Sequence, residues 1–290
     1  MRPNTPHFVV TPESAICHGG HFYAMSTIRD TIFGMYHMFV ASKNITNTEH
    51  TQDAHLLLRW LVVYAHYVFV KRGSDLDLRA TCTPHVPNVS TFEGAVDLFM
   101  LCVIMELGDL MNPLAYQKKY RHEHDHDYDQ LCTIHSHGLA RDLRNWWRGH
   151  YIFHDFQAGC QVDGELVFKD LFSQQVNALI AYKKMAEKNN IHGEALECTA
   201  EVLESLVKKY FPHVAVCHEI PETGFEWSGA RYEVQAQIDH ITSYTSPNGG
   251  YSSFGDYYSF ENHNCRSGYL RPWSNCFRPR FCTTVHKIGC

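Results

Sequence analysis

Apolar residues recur at helical spacing over much of the chain and predict a mainly helical protein. One stripe, between Met25 and Val40, is formed by Ile28, Ile32, Met35 or Tyr36, and Phe39. Two later segments, Leu56 to Val70 and Val96 to Leu107, are apolar almost throughout. The first of them would span about 22 Å as a helix, short of the roughly 30 Å hydrocarbon core of a bilayer. Both are therefore predicted to be buried helices.

The clearest helical pair is predicted at Glu165 to Asn189 and Glu194 to Phe211. Each segment carries one apolar stripe, and Pro212 ends the second. The stripe residues are Phe168, Phe172, Val176 and Leu179 in the first segment, and Leu196, Leu203, Leu206 and Tyr210 in the second. The pair is predicted to form an antiparallel helical hairpin.

Arginines flank two adjacent tryptophans in the segment from Arg141 to Arg148, which predicts a short helix or turn. Trp146 and Trp147 have two interpretations. They can anchor the segment to a core while the arginines face water, or they can form a basic aromatic patch that binds a peptide or nucleic acid.

A His-rich tract, YRHEHDHDYD, runs from Tyr120 to Asp129. His122, His124 and His126 alternate with acidic residues, so an extended strand would place the three imidazoles on one side as a weak site for zinc, nickel or copper. Cys132, His135 and His137 follow closely and could add ligands. The alternative is a solvated linker between two domains.

The chain changes composition after residue 242. Ser, Gly, Tyr, Asn and Pro replace aliphatic residues, so too little apolar side chain is available for a core and disorder is predicted. Four cysteines, Cys265, Cys276, Cys282 and Cys290, supply enough ligands for zinc, but their spacing matches no standard zinc finger.

The overall charge and the cysteine pattern narrow the function classes. A formal net charge of -6 argues against a strongly basic nucleic-acid surface. The 11 cysteines are odd in number and form no C-x-x-C pair, and no secretory leader opens the sequence. We expect an intracellular protein with reduced thiols.

The first 23 residues, MRPNTPHFVVTPESAICHGGHFY, predict two short strands. A β-prone run, Phe8 to Val10, is followed by a Pro-containing turn, Thr11 to Ser14, and by a second strand that ends near Gly19-Gly20-His21-Phe22. Paired glycines in a strand often mark a close approach of a ligand or another backbone.

This stretch resembles the last two barrel strands of the Jumonji C (JmjC) oxygenases. The shared pattern is P-x-x-x-H-x-V-x-T-P, followed twelve residues after its His by G-G-x-F. It is carried by Pro3, His7, Val9, Thr11, Pro12, Gly19, Gly20 and Phe22. The resemblance implies a double-stranded β-helix (cupin or jelly roll) in which His7 is the distal ligand of a 2-His-1-carboxylate iron site. His21, where many relatives have Asn, would lie near the 2-oxoglutarate pocket.

The resemblance also implies a reaction. In such enzymes Fe(II) and 2-oxoglutarate activate O2 to hydroxylate a C–H bond, which on an N-methyl-lysine ends in demethylation. The partner would be a protein substrate such as a histone tail, and the enzyme would be nuclear if it acts on chromatin. The other two iron ligands come from an H-x-D or H-x-E pair on an earlier strand, whereas only six residues precede His7. We therefore expect this chain to be inactive alone.

The predicted fold is mainly α with a small N-terminal β remnant. Residues 1–24 would be the last strands of a JmjC barrel, and residues 25–118 a helical extension packed on it. Residues 119–138 would be the His/Asp-rich linker, residues 139–242 a second helical region, and residues 243–290 a disordered low-complexity tail.

Two other functions are compatible with the residues. One is a non-catalytic helical interaction protein that keeps a barrel remnant, and the other is a His/Cys-rich metal-binding protein. The apolar helices at 56–70 and 96–107 could in addition join two copies of the chain into a homo-oligomer.

Overall fold

The fold was analysed in a computed structural model of the chain. The structure describes residues 13, 23–41, 52–71, 86–108, 110–111, 116, 125–191, 198–216 and 229–237. The chain divides into two units, and apart from Glu13 all described residues belong to the unit formed by Met1–Pro6 and Tyr23–Ile241. The strands expected before residue 23 and the tail expected after residue 242 lie outside the described residues.

The described unit is mainly helical, as predicted, and it contains one small antiparallel sheet. Its α-helices are α1 (Ile28–Ala41), α2 (Gln52–His66), α3 (Phe92–Leu107), α4 (Asp125–His150), α5 (Gly164–Lys188) and α6 (Ala200–Tyr210). A 3₁₀ turn, Met25–Thr27, leads into α1, and a π turn, Tyr67–Lys71, continues α2. The strands are β1 (Tyr151–Asp155), β2 (Cys160–Val162) and β3 (Tyr232–Ala236). In the part of the chain that is described, none of the helices combines the length and apolarity that a membrane span requires.

Helix α3 is the centre of the unit, and α1, α2, α4 and α5 pack around it. Thr91 caps it by accepting a hydrogen bond from the Gly94 N–H. All of its residues are buried except Glu93, Asp97 and Glu106, which confirms the prediction of a buried helix. Helix α3 is covered by helices of its own chain, and the contact between two copies expected through residues 56–70 and 96–107 stays a prediction.

Helices from both sides of the expected linker share one hydrophobic core. Residues 125–138, which were expected to belong to that linker, instead form the first half of α4. Buried residues follow at helical spacing along α4, at Ser136, Leu139, Ala140, Leu143 and Trp147. The acidic residues at the start of α4 also have the charge that favours a helix N-terminus.

The sheet has the order β2-β1-β3, with Phe153 of β1 opposite Val162 on one side and Val234 on the other. Tyr151, Phe153 and Asp155 alternate with partly exposed residues, so one face of β1 packs on the core. These strands lie in the second half of the chain, whereas the predicted β remnant was N-terminal. The cupin origin of the N-terminal stretch stays a prediction.

Trp147 anchors α4 to this core, as the first of the two interpretations predicts. Its ring is fully buried, and its indole Nε1 donates a hydrogen bond to the Val89 carbonyl at 3.1 Å. The neighbouring arginines form ion pairs. Arg144 pairs with Glu106 at 3.5 Å, and Arg148 pairs with Asp163 at 2.8 Å, where Asp163 also caps α5. Two of the three arginines in this segment therefore pair with carboxylates, and Arg141 is exposed.

Candidate functional site

The residues that carry the family resemblance are not among those the structure describes. His7, the predicted iron ligand, and His21, the residue predicted near 2-oxoglutarate, both lie between Met1 and Phe22, outside the described residues. Their geometry is therefore not tested, and both roles stay predictions from the motif.

The His-rich tract is described only from its third imidazole onward. His122 and His124 lie outside the described residues, and His126 is the second residue of α4. The extended strand expected for the tract is therefore not observed at His126, which lies in a helix. The metal site expected at His122, His124 and His126 stays a prediction.

The two histidines after this tract differ in how far they are exposed to solvent. His135 is exposed, whereas His137 is partly buried, with its Nε2 3.0 Å from the Met105 carbonyl oxygen. Within the described ranges, no group of three or more His, Cys, Asp or Glu side chains is arranged to hold a metal ion.

Between α3 and α4, a polar cluster lies beside a buried thiol. Arg144 stacks on the Phe168 ring at 3.8 Å and pairs with Glu106. Cys102 is fully buried and lies 3.5 Å from the Ala140 carbonyl, and burial raises the pKa of its thiol to about 12. Because the thiolate is the nucleophilic form, Cys102 is chemically inert at neutral pH. Arg144, Glu106 and Cys102 therefore contribute to the packing of α3 against α4.

A second buried group lies where α5 meets the start of α6. Tyr116 donates to the Leu110 carbonyl at 2.7 Å, and Cys198 interacts with the same hydroxyl. Burial raises the pKa of Tyr116 and of Cys198, so both are protonated at neutral pH. Lys183, with 2% of its surface exposed, contributes a nearby positive charge.

An ion pair joins Asp155 on β1 to Arg231, just before β3. Asp155 Oδ2 accepts from Arg231 Nε at 3.0 Å and Nη2 at 2.7 Å, while Oδ1 accepts from the backbone N–H groups of Gln157 and Ala158. The guanidinium and these two N–H groups lower the pKa of Asp155 to about 2. All four donors belong to the protein, so the carboxylate closes the β1–β2 turn and holds β3 in place.

We expect the protonation of Asp155 to cause part of the decrease in the free energy of unfolding in acid. Its pKa is lower in the folded than in the unfolded chain, so its stabilising effect is complete above about pH 3.8 and is lost as the pH falls from there towards about 2. Asp155→Asn should therefore be less stable than the wild type at pH 7, and the difference should narrow below pH 3. The free energy of unfolding, measured by urea titration at several pH values, checks this.

Glu233→Gln is the matched control for that experiment, because Glu233 is an exposed carboxylate on the strand next to Asp155. It should leave the acid profile of the wild type unchanged. An Asp155→Asn variant whose stability deficit is the same at pH 7 and pH 2.5 would show that the ion pair is not the cause.

Sequence reasoning did not find these clusters. Asp155 and Arg231 are separated by 76 positions, and Cys102 and Ala140 by 38. A local pattern carries no signal for such contacts, although Asp155 at the end of an alternating strand was a detectable candidate for a turn.

Comparisons with known proteins found no relative of this chain. No family model, curated protein or solved structure matches the chain. Functional inference therefore depends on the N-terminal motif and on the chemistry of the described unit.

Proposed function

We infer that the chain is the C-terminal part of a JmjC-type Fe(II) and 2-oxoglutarate-dependent oxygenase, of the histone lysine demethylase or protein hydroxylase class. One observation carries this proposal: eight residues between Pro3 and Phe22 keep the order and spacing of the last two barrel strands of that family. A lone His near a strand start carries little information, but the surrounding Pro, Val, Thr-Pro and Gly-Gly positions make the motif specific.

In this proposal His7 supplies one iron ligand and His21 lies near 2-oxoglutarate. Bound Fe(II) and 2-oxoglutarate would supply the oxidising chemistry that hydroxylates a C–H bond of a protein substrate. We assign the described helices a supporting role in this proposal. The cysteine thiols of their core are protonated, and Arg144, Arg148 and Arg231 each pair with a carboxylate.

One histidine does not hold Fe(II) against water and buffer, because affinity requires several ligands fixed together and oriented by neighbouring groups. Within the described helices and sheet, no group of three or more His, Cys, Asp or Glu side chains is arranged to hold a metal ion by itself. The resemblance implies that the other two ligands come from an H-x-D or H-x-E pair on an earlier barrel strand, so we expect the chain alone to be inactive.

The test compares this chain with a version extended upstream in the same reading frame. With Fe(II) and 2-oxoglutarate supplied, the chain alone should release no succinate, whereas the extended protein should release it. His7→Ala in the extended protein should abolish both succinate release and bound iron. His213→Ala, which removes an exposed imidazole after α6, should change neither. Succinate release that survives His7→Ala would overturn the assignment.

The second candidate is a non-catalytic helical interaction protein. The observation that favours it is a row of large apolar side chains on α2 and its π turn, where Leu57, Trp60 and Tyr67 have 44 to 47% of their surface exposed. Their spacing of three and seven residues places them on one side of the helix. This candidate predicts that His7→Ala changes neither metal content nor self-association in analytical ultracentrifugation.

A further inference from the structure

The junction between α2 and its π turn has an unusual combination of features. π turns are rare and often mark functional positions in helices. Here the turn follows directly after His66, a histidine with 6% of its surface exposed. Val68 and Phe69 of the turn are buried, and the Phe69 ring stacks on Trp146 of α4 with centroids 4.9 Å apart. Packing against α4 therefore holds this turn in place.

His66 faces α4 through one polar contact. Its Nε2 lies 3.4 Å from Asp142 Oδ2, and the Asp142 side chain is 51% exposed. The other charged groups that act on His66 are His135 of α4 and Lys71 of the π turn, and both oppose a positive imidazole. The half-buried carboxylates of α3 pair elsewhere, Asp97 with Arg29 and Glu106 with Arg144.

We propose that His66 is an acid-sensitive latch, whose protonation releases the π turn and the end of α2 from α4. The imidazole is buried at the contact between the two helices, and among the described residues its counter-charge is the carboxylate of Asp142, which is 51% exposed and therefore screened by solvent. A charged imidazole is therefore better accommodated in water than in the packed state.

The direction of the effect follows from the charges. Burial lowers the pKa of His66 in the packed state, and this outweighs the attraction of Asp142. In the released state the imidazole regains an ordinary pKa of about 6.5. The packed state is thus fully favoured above about pH 6.5 and is weakened as the pH falls from there through the lowered pKa of the packed state. At pH 5.5 the opening equilibrium can rise by up to about ten-fold over its value at pH 7.5.

Hydrogen exchange measured by mass spectrometry tests the latch in the full chain. After correction for the intrinsic effect of pH, peptides covering residues 60–71 should lose protection by up to about ten-fold between pH 7.5 and 5.5. Peptides from α5 should keep theirs. Equal loss in α5 would show global unfolding and overturn the proposal, as would unchanged protection in residues 60–71.

Two variants assign the effect to His66. His66→Gln keeps a polar side chain that does not titrate, so the pH-dependent loss in residues 60–71 should disappear, whereas His213→Gln, at an exposed position, should leave it unchanged. If His66→Gln does not fold, the same hydrogen-exchange measurement on Asp142→Asn tests the proposal. Removing this carboxylate further disfavours the charged imidazole in the packed state, so the low-pH loss should be at least as large as in the wild type. A smaller loss contradicts the latch.

Discussion

Replacing Gly94 with alanine is expected to destabilise the protein by about 3 kcal/mol, at the upper end of the range for overpacked sites. A Cβ atom at this position would lie 2.0 Å from the Asn88 carbonyl oxygen. That oxygen is held in place, because it accepts hydrogen bonds from the Thr91 N–H at 3.0 Å and from the Thr91 hydroxyl at 2.7 Å. The added methyl group must displace backbone at the start of the central helix.

Gly138→Ala is the matched control for this prediction. Gly138 is also helical, but a Cβ atom there would meet nothing within 4 Å. Alanine should stabilise α4 by about 0.5 to 1 kcal/mol, because it lowers the entropy of the unfolded chain. The free energy of unfolding from urea titration gives both values. A Gly94→Ala variant as stable as the wild type would show that α3 does not approach residue 88 as described.

Trp147→Ala is the second substitution with a large expected effect, a loss of about 3 to 5 kcal/mol. The indole is fully buried and lies against Phe153 and Phe99, with ring centroids 4.7 and 5.1 Å away. It also fills the space in front of Gly164, where a Cβ atom would come within 2.6 Å of the ring. Truncation leaves a cavity between α3, α4 and α5 and leaves the Val89 carbonyl without its donor.

Trp146→Ala is the matched control, because it removes the neighbouring tryptophan instead. Trp146 is only partly buried and stacks on Phe69 and His150. Its removal should cost clearly less free energy of unfolding than removal of Trp147 in the same urea titration. The reverse order would contradict the placement of Trp147 in the core.

The helices were predictable because their apolar periodicity is long and regular. The stripe of Ile28, Ile32, Tyr36 and Phe39 is buried as its spacing predicts, and α3 is apolar enough to be buried on nearly every side. The predicted boundaries differ from the observed ones mainly at helix starts. Helix α3, for example, begins at Phe92 rather than at Val96, because Thr91 caps it.

The sheet was not predicted, and the pairing of β3 with β1 could not be, because it is non-local. Tyr151 pairs with Ala236 across 85 positions, and β1 follows α4 without a break that periodicity could reveal. The first half of α4 was missed for another reason. Its His and Asp residues alternate at the start, and this alternation is typical of a strand or a solvated linker, whereas the apolar positions that fix the helix lie further along, from Leu139 to Trp147.

The candidate iron site, unlike the sheet, was visible in the sequence but is not covered by the described residues. The motif around His7 is a local pattern and could be read directly, but its residues lie outside the described part of the chain. The described unit also contains polar contacts that no sequence motif indicates. One example is the contact of His66 with Asp142, which lie 76 positions apart. Contacts of this kind depend on how α2 and α4 pack, and the sequence does not encode that packing locally.

The proposal that this chain is part of an iron oxygenase is tested most directly by mapping the 5′ end of its transcript and reading the codons upstream of Met1. The account predicts an in-frame strand with H-x-D or H-x-E within roughly 100 residues, about the length of one small domain. Such a strand would make His7 the third ligand of a complete iron site. A transcript whose reading frame starts at Met1, with no such codons before it, would contradict the account.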